Sequence, residues 1–504
     1  MTRKTPVRMD LVQPILAIGI GMTTACGSNA EVQQSAFAGA PGSSVPVVTT
    51  SASSAMSPTT PATPNKPGTP AASASSAPPV VATMPTGAAA PNGGVATPPG
   101  AAGAPNTTAA APTNAVTYQH DIRPIIEARC LGCHVAGGAG PFPLNTWDSV
   151  DKLKAAIVPA VASRTMPPWP ADDTDCVKQR NKQRLTDEQL ALFMKWQDGG
   201  FQAGAPSDFA PLMEDEPAPN LGEPDMLVKP QPYQLTANFE GYVCQQTDAN
   251  LTEDVWVRAL DMKPEHAQYV HHAIINIGSG NCDALGVSAE NLYSYRPGSR
   301  TVVFEEGDAM KLPAGQKIAI QFHYNTRGAP PAMSYPTDAS PLRLWTLPKG
   351  QKPQREIHRQ PVHAINISIP VGAVDQSVTT SQGLQAGTGA EIIGISPHMH
   401  YLGHHFKQTL SGGGANNNCL VYVPDWDQSW QIDYLYKPSE YIKVMPGMTI
   451  HQECTYNNRP EDQGIGPDGK PYTPQYTTFG EDTRNEMCLG YVWYREPLAG
   501  GGFN

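Results

Sequence analysis

The sequence predicts a multidomain chain in which a small all-α domain precedes all-β sandwich domains. Two observations carry that fold class. Within residues 116–200, apolar side chains recur at helical spacing. Beyond a Pro- and acid-rich stretch at 201–225, short alternating strands succeed one another, separated by Gly, Pro and Asn. The 504 residues leave room for roughly two to four domains. A formal net charge of -11 offers no basic patch for a nucleic-acid partner.

Residues 1–26 read as an export signal. Arg3, Lys4 and Arg8 make a basic start, and Leu11 to Gly21 form an apolar core too short to span a bilayer. The core ends at Thr23-Thr24-Ala25-Cys26-Gly27. That run resembles a bacterial lipoprotein cleavage site with lipid on Cys26, although Thr23 stands where the usual pattern has Leu. An ordinary cleaved signal is the alternative. Either way the expectation is an exported protein of the cell envelope, and the lipid reading adds a membrane anchor. Residues 27–115 are mostly Ala, Pro, Ser, Thr and Gly, and Lys66 is the only charge between Glu31 and His120. Such a stretch buries too little apolar surface to offset its ordering entropy, so it reads as a disordered tether. In a polyproline conformation, at ~3.1 Å per residue, it would reach on the order of 200 Å.

Folded sequence begins near Val116. Ile122, Ile125 and Ile126 fall at helical spacing within Tyr118 to Arg129. Thr186-Asp187-Glu188-Gln189 is a capping-box pattern that opens a helix bearing Leu190, Phe193 and Met194, ended by Gly199-Gly200. Between the two lies Cys130-Leu131-Gly132-Cys133-His134. A C-x-x-C run alone is ambiguous between zinc, thiol redox chemistry and haem. The adjacent histidine in an exported chain selects covalent haem c, with thioethers at Cys130 and Cys133 and His134 as proximal iron ligand. Met166, followed by Pro167 and Pro168, resembles the distal-ligand loop of cytochromes c. A methionine is otherwise a flexible filler of cores, and Met194 lies within the predicted helix. Residues 116–200 thus resemble a cytochrome c domain, joined to the β region by a linker at 201–225.

Four motifs mark the β region. Tyr269-Val270-His271-His272-Ala273-Ile274-Ile275 places two histidines side by side. Neighbours on a regular strand face opposite ways, so both reach one metal only at a strand end or bulge. In Ile318 to Tyr324, Ile318, Ile320 and Phe322 share one face and Gln321 and His323 the other. His398 and His400, within Ser396 to Gly403, are two apart and on a strand project the same way. Met487, within Asn485 to Tyr491, offers a thioether. Soft sulfur beside imidazoles suits copper held as Cu(I).

Together these motifs resemble the copper type II, ascorbate-dependent monooxygenases, the family of the peptidylglycine and dopamine β-hydroxylating enzymes. The resemblance covers roughly 226–497, in the family's order. It implies two packed antiparallel, jelly-roll-like sandwiches, 226–350 and 351–504, splitting near Gln351. It also implies two copper ions. His271, His272 and His323 would hold the electron-transfer copper. His398, His400 and Met487 would hold the copper that binds O2 and carries the catalysis. The family's Gln-x-His-Tyr and Glu-Met-Cys runs stand here as Gln321 to Tyr324 and Glu486 to Cys488. His358, His363, His404, His405 and His451 match no ligand position and read as ordinary histidines. Zinc is the alternative metal for three histidines, but needs neither a methionine nor a haem on the same chain.

Of nine cysteines, Cys26, Cys130 and Cys133 have roles in the signal and the haem site, and disulfides are expected among the rest in an exported chain. Cys454 and Cys488 match a family disulfide, and Cys244 and Cys282 sit where the family has paired cysteines. Cys176 and Cys419 match nothing in the family and either pair across domains or stay free. Substrate residues depart from the pattern. The peptide-hydroxylating enzymes carry an arginine two residues before the first histidine of H-x-H, where Ser396 stands here. Their asparagine after Met-Cys is Leu489 here, while the following tyrosine is retained as Tyr491. Peptides ending in glycine are therefore expected to be poor substrates.

The reading is a copper monooxygenase that hydroxylates a C–H bond of a small molecule. Its partners are O2, the substrate and an external reductant, either an ascorbate-like donor or a redox protein. Two electrons are needed, one from each copper, and the haem is placed to feed them. The alternative is an exported electron-transfer or copper-handling protein without oxygenase activity. A carrier needs only one redox centre, which favours the enzyme. A cell-surface interaction protein would need none.

Overall fold

The computed structural model describes residues 115–499, except 173, 181, 213–219, 279–281, 283–289, 328–333, 414 and 467–468. The export signal, Cys26 and the tether up to residue 114 lie outside the described residues. Among the described residues no helix is long and apolar enough to cross a membrane.

Three α-helices come first: α1 (Arg123–Arg129), α2 (Trp147–Ala162) and α3 (Asp187–Asp198). A π-helical turn, Tyr118–Ile122, leads into α1. The capping box of α3 forms as the sequence indicates. The Gln189 N–H donates to Thr186 Oγ1 at 3.2 Å, and the Thr186 N–H donates to Gln189 Oε1 at 3.1 Å. Helix α2 has no counterpart in the sequence reading. Its N-cap Thr146 is answered by Ser149 rather than by Glu or Gln, so the usual sequence signature is missing. The helices close on Ile122, Ile125, Val150, Val158, Phe193 and Trp196.

The rest is β-structure. The first half contains β1 (Met226–Val228), β2 (Glu240–Asp248), β3 (Val255–Met262), β4 (Val270–Ile277), β5 (Glu290–Tyr295), β6 (Asp308–Leu312), β7 (Lys317–Asn325) and β8 (Leu342–Thr346). The second contains β9 (Arg355–Ala364), β10 (Gln376–Gly383), β11 (Glu391–His398), β12 (Gly403–Gly412), β13 (Ala415–Val423), β14 (Tyr434–Leu435), β15 (Thr449–Tyr456) and β16 (Cys488–Pro497). Two four-stranded sheets, β2-β7-β4-β5 and β10-β15-β12-β13, cover a ten-stranded sheet whose main path is β1-β8-β3-β6-β9-β16-β11-β14. Val257 and Leu260 of the large sheet meet Ile275 and Phe322 in one core, and Ile395 and Val492 meet Phe406 and Ile450 in the other.

Two features go beyond the expectation of two packed antiparallel sandwiches behind a linker. Strand β6 of the first half pairs with β9 of the second, in parallel, with Arg355 opposite Asp308 and Ile357 opposite Met310. Each half would otherwise present a bare strand edge there, and pairing satisfies both rows of backbone groups. The helical segment, in turn, is strapped to the sheets well before the linker at 201–225. Asp172 bridges to Tyr422 and Gln179 to Tyr436, and a disulfide joins Cys176 to Cys419. Trp169 packs edge-on against Tyr434 at 5.4 Å. Arg180 pairs with Glu305 at 2.9 Å.

Candidate metal centres

Strands β4 and β7 pair with His272 opposite His323, and the register slips between Val270 and His272. That bulge is the device an adjacent histidine pair needs. Ring centroids of His271, His272 and His323 lie 4.7–5.4 Å apart, and one nitrogen of each falls within 4.8 Å of the others. His323 is 1% exposed, yet neither ring nitrogen has a hydrogen-bond partner. Its nearest carboxylate oxygen, Glu240 Oε1, is 3.6 Å from Nε2, beyond hydrogen-bond length. Tyr242 of β2 stacks on the ring at 4.5 Å. Burial, then neighbouring His323, holds the His271 imidazole down at about 4, and burial holds His272 well below its ordinary value. Both are neutral at pH 7, which leaves lone pairs for a metal. A buried polar group left unpaired costs about 1–3 kcal/mol, so this donor set fits an ion.

His398 ends β11, and His400 sits in the turn beyond it rather than on the same strand. Their rings are perpendicular, with centroids 5.1 Å apart. His398 Nδ1–H donates to Gln431 Oε1, and His400 Nδ1–H donates to the Asn485 carbonyl at 3.0 Å. Each ring therefore keeps Nε2 as an acceptor, or a ligand. Burial lowers His398 to about 4 and His400 to about 3. Met487, 1% exposed, immediately precedes β16, whose first residue Cys488 is disulfide-bonded to Cys454. Tyr456 Oη donates to the Met487 carbonyl at 2.9 Å.

The sequence reading has Glu486 only as part of a run. In the structure it is the staple between the two ligand segments. Fully buried, its carboxylate accepts the His400 N–H at 2.8 Å, the Leu402 N–H at 2.6 Å and the Met487 N–H at 3.3 Å. Burial pushes this carboxyl up to about 8, against the pull of those N–H groups. Its adjacency to Met487 was the available signal; its reach back to the histidine turn was not.

The two clusters face one another. Ile274, two residues along β4 from His272, packs on Met487, Leu489 and Tyr491 together with Phe479. Tyr401, next to His400, feels the charge of Glu240, which sits beside His323. Ser396 is 4% exposed and fully engaged. Its hydroxyl donates to Asp433 and accepts from Trp493 Nε1–H at 2.7 Å and Arg359 at 3.2 Å.

Among the helices, Cys130 and Cys133 are free thiols, while Cys244–Cys282 joins the Cys176–Cys419 and Cys454–Cys488 pairs as a third disulfide. His134 Nδ1–H donates to the Phe142 carbonyl at 3.0 Å, leaving Nε2 available. A Cβ at Gly140 would come within 2.7 Å of that ring, so only glycine fits. Met194 is 39% exposed on α3, whereas Met166 lies half-buried just past α2. A Cβ at Gly298, in the loop after β5, would come 3.4 Å from Cys133 Sγ.

Residues 372–499 match the family described as copper type II ascorbate-dependent monooxygenase, C-terminal domain. The motifs and this match support that family. Among relatives, DBH-like monooxygenase protein 1 of Gallus gallus is 24% identical over 263 residues, 46% of this chain and 40% of that protein. Its Mus musculus counterpart is 28% identical over 112 residues, 22% of this chain and 16% of that protein. The chain thus spans less than half the length of these relatives. The family match lies in the second half of the β region and leaves haem to the chain's own residues. Among solved structures, the major capsid protein P2 of Bacteriophage PM2 overlaps 55% of this chain and 99% of its own, at 8% identity and a TM-score of 0.28. The STIV major capsid protein overlaps 53% of this chain and 95% of its own, at 10% identity and a TM-score of 0.23. Scores this low bear on neither fold nor activity.

Proposed function

We propose that this chain is a copper-dependent monooxygenase that hydroxylates a C–H bond of a small substrate with O2 and draws its electrons through a covalent haem c. The observation that carries the reading is a histidine triad in which His272 and His323 are buried and the nitrogens of His323 are unpartnered. It faces a second histidine pair and a thioether across a shared apolar cluster. His271, His272 and His323 would hold one copper, and His398, His400 and Met487 the other. Copper bound there supplies one-electron transfer and O2 activation.

The chain's own residues do the rest. Gln431 and the Asn485 carbonyl fix the tautomers of His398 and His400. Glu486 keeps the Met487 segment registered against the histidine turn. Ile274, Leu489, Tyr491 and Phe479 keep water from Met487, and the partly buried Ile274 and Phe479 offer an apolar surface to a C–H substrate. For haem, Cys130 and Cys133 would form the thioethers, His134 the proximal ligand and Met166 the distal one. Among the described residues, two unpaired thiols beside three disulfides support this. Those disulfides also suit an exported protein. Attachment by lipid at Cys26 rests on the sequence pattern alone.

The test is copper and haem stoichiometry with reductant-dependent O2 uptake. Two coppers and one haem that resists extraction into acidified organic solvent are expected. His398→Ala should remove one copper and stop substrate-coupled uptake. A single copper, or reduction without any coupled hydroxylation across candidate substrates, would give the carrier reading instead.

A further inference from the structure

The second half holds another cluster, separate from both copper ligand sets and from the haem segment. His404 and His405 open β12, and Asp375 immediately precedes β10. The register of β12 against β15 slips between Gly403 and His405. Two neighbours that a regular strand would send to opposite faces therefore bring their ring centroids to 3.7 Å. This is the local device that gathers His271 and His272 on β4, used a second time.

Asp375 gathers the two rings: it accepts the His404 Nδ1–H in a hydrogen bond that a metal ion would replace, and it lies near the open nitrogen of His405. His405 Nδ1–H donates to the Pro424 carbonyl, which leaves Nε2 as a lone pair 3.9 Å from Asp375 Oδ1. His404 Nδ1 lies 2.5 Å from the same oxygen. One nitrogen from each ring and a carboxylate oxygen fall within 4.8 Å of one another. The backbone beneath them is pinned. The Asp375 N–H donates to Asn457 Oδ1 at 2.7 Å, the His405 N–H donates to Thr455 Oγ1 at 3.0 Å, and the His404 carbonyl accepts from the Trp426 N–H at 2.9 Å. Asp375 itself has φ 49°, a conformation that Asp and Asn tolerate better than other side chains.

We infer that Asp375, His404 and His405 form a third metal site, for a divalent ion of borderline softness such as Zn2+. Two imidazoles and one carboxylate are a zinc donor set, and the Pro424 carbonyl supplies the outer hydrogen bond that orients His405. No thioether is present to favour Cu(I). A tetrahedral shell with bonds of about 2.0–2.1 Å places its ligands about 3.4 Å apart, so on binding His404 Nδ1 draws back from Asp375 Oδ1 by about 1 Å while His405 Nε2 moves in by about 0.5 Å. Side chains 30–58% exposed can rotate that far, and water completes the shell.

The experiment is calorimetric titration of the full chain, as purified with its own metal complement, using Zn2+ as the probe. Wild type should take up one equivalent that the paired change His404→Ala with His405→Ala removes. Asp375→Asn keeps a residue suited to that backbone and should weaken zinc binding at least tenfold. His323→Ala should leave the extra equivalent in place. Melting curves without added zinc check that the variants are folded. Equal zinc uptake by wild type and the paired variant would overturn the site, as would an equivalent lost in His323→Ala.

Discussion

His400 is a buried imidazole held at about 3, and the part-buried His398 and His271 are each held at about 4. In the unfolded chain each returns to about 6.5. The folded metal-free protein therefore keeps its full stability from this source above pH 6.5. It loses it as pH falls toward 4, where the unfolded chain takes up protons and the folded one does not. Each residue contributes on the order of 1–3 kcal/mol to that slope. Thermal melts of metal-free protein between pH 8 and 4 should show the loss, and His400→Asn should flatten part of it. Substrate choice is also a matter of single residues. Ser396 is buried and committed to Asp433, Trp493 and Arg359, and Leu489 is buried beside Met487. Neither can answer a carboxylate with a charge-assisted bond. A peptide ending in glycine should react no more than about twofold better than its uncharged amide, by kcat/KM; a strong dependence on the carboxylate would refute this. The residues that the structure gathers into the two proposed ligand sets were legible as motifs. The role of Glu486 was not, because its partners His400 and Leu402 lie more than eighty positions away.

At the scale of elements, the strap at Asp172–Arg180 replaces a flexible connection with a fixed one. The Cys176–Cys419 disulfide closes a loop of 243 residues, and loss of such a bridge costs about 2–5 kcal/mol. The paired change Cys176→Ser with Cys419→Ser should lower the denaturation midpoint accordingly. It should also raise proteolytic cleavage near residue 176. An unchanged midpoint would mean that the backbone bridges and Trp169 suffice. The sequence left these two cysteines open, since neither helix periodicity nor strand alternation reports a contact made by an irregular segment. It also missed α2, whose Thr146–Ser149 cap lacks the Glu or Gln that sequence reading looks for. Strand β7 was visible because Ile318, Ile320 and Phe322 alternate with Gln321 and His323, whereas β4 and β11 are buried along most of their length and show no such alternation. The bulge at His271 was a requirement of the ligand reading before it was a feature of β4.

Across the whole molecule, the segment proposed to bind haem and the histidine set proposed to hold the first copper come close through one loop. Gly298 lies against Cys133, and Tyr295 at the end of β5 is opposite Ala273, the neighbour of His272. Reduced haem should therefore pass its electron to the copper held by His271, His272 and His323. Anaerobic stopped-flow on protein with haem reduced and copper oxidised should show rapid haem reoxidation, abolished in His323→Ala. Reoxidation at the same rate without that copper would rule the path out. The parallel pairing of β6 with β9 has its own consequence for anyone dividing this protein. A cut near Gln351 would strip one strand of its neighbour on either side of the break. It would leave two fragments each bearing a raw, adhesive border. Expressed apart, 226–350 and 351–499 should elute as aggregates on size exclusion, and expressed together they should recover a soluble one-to-one pair.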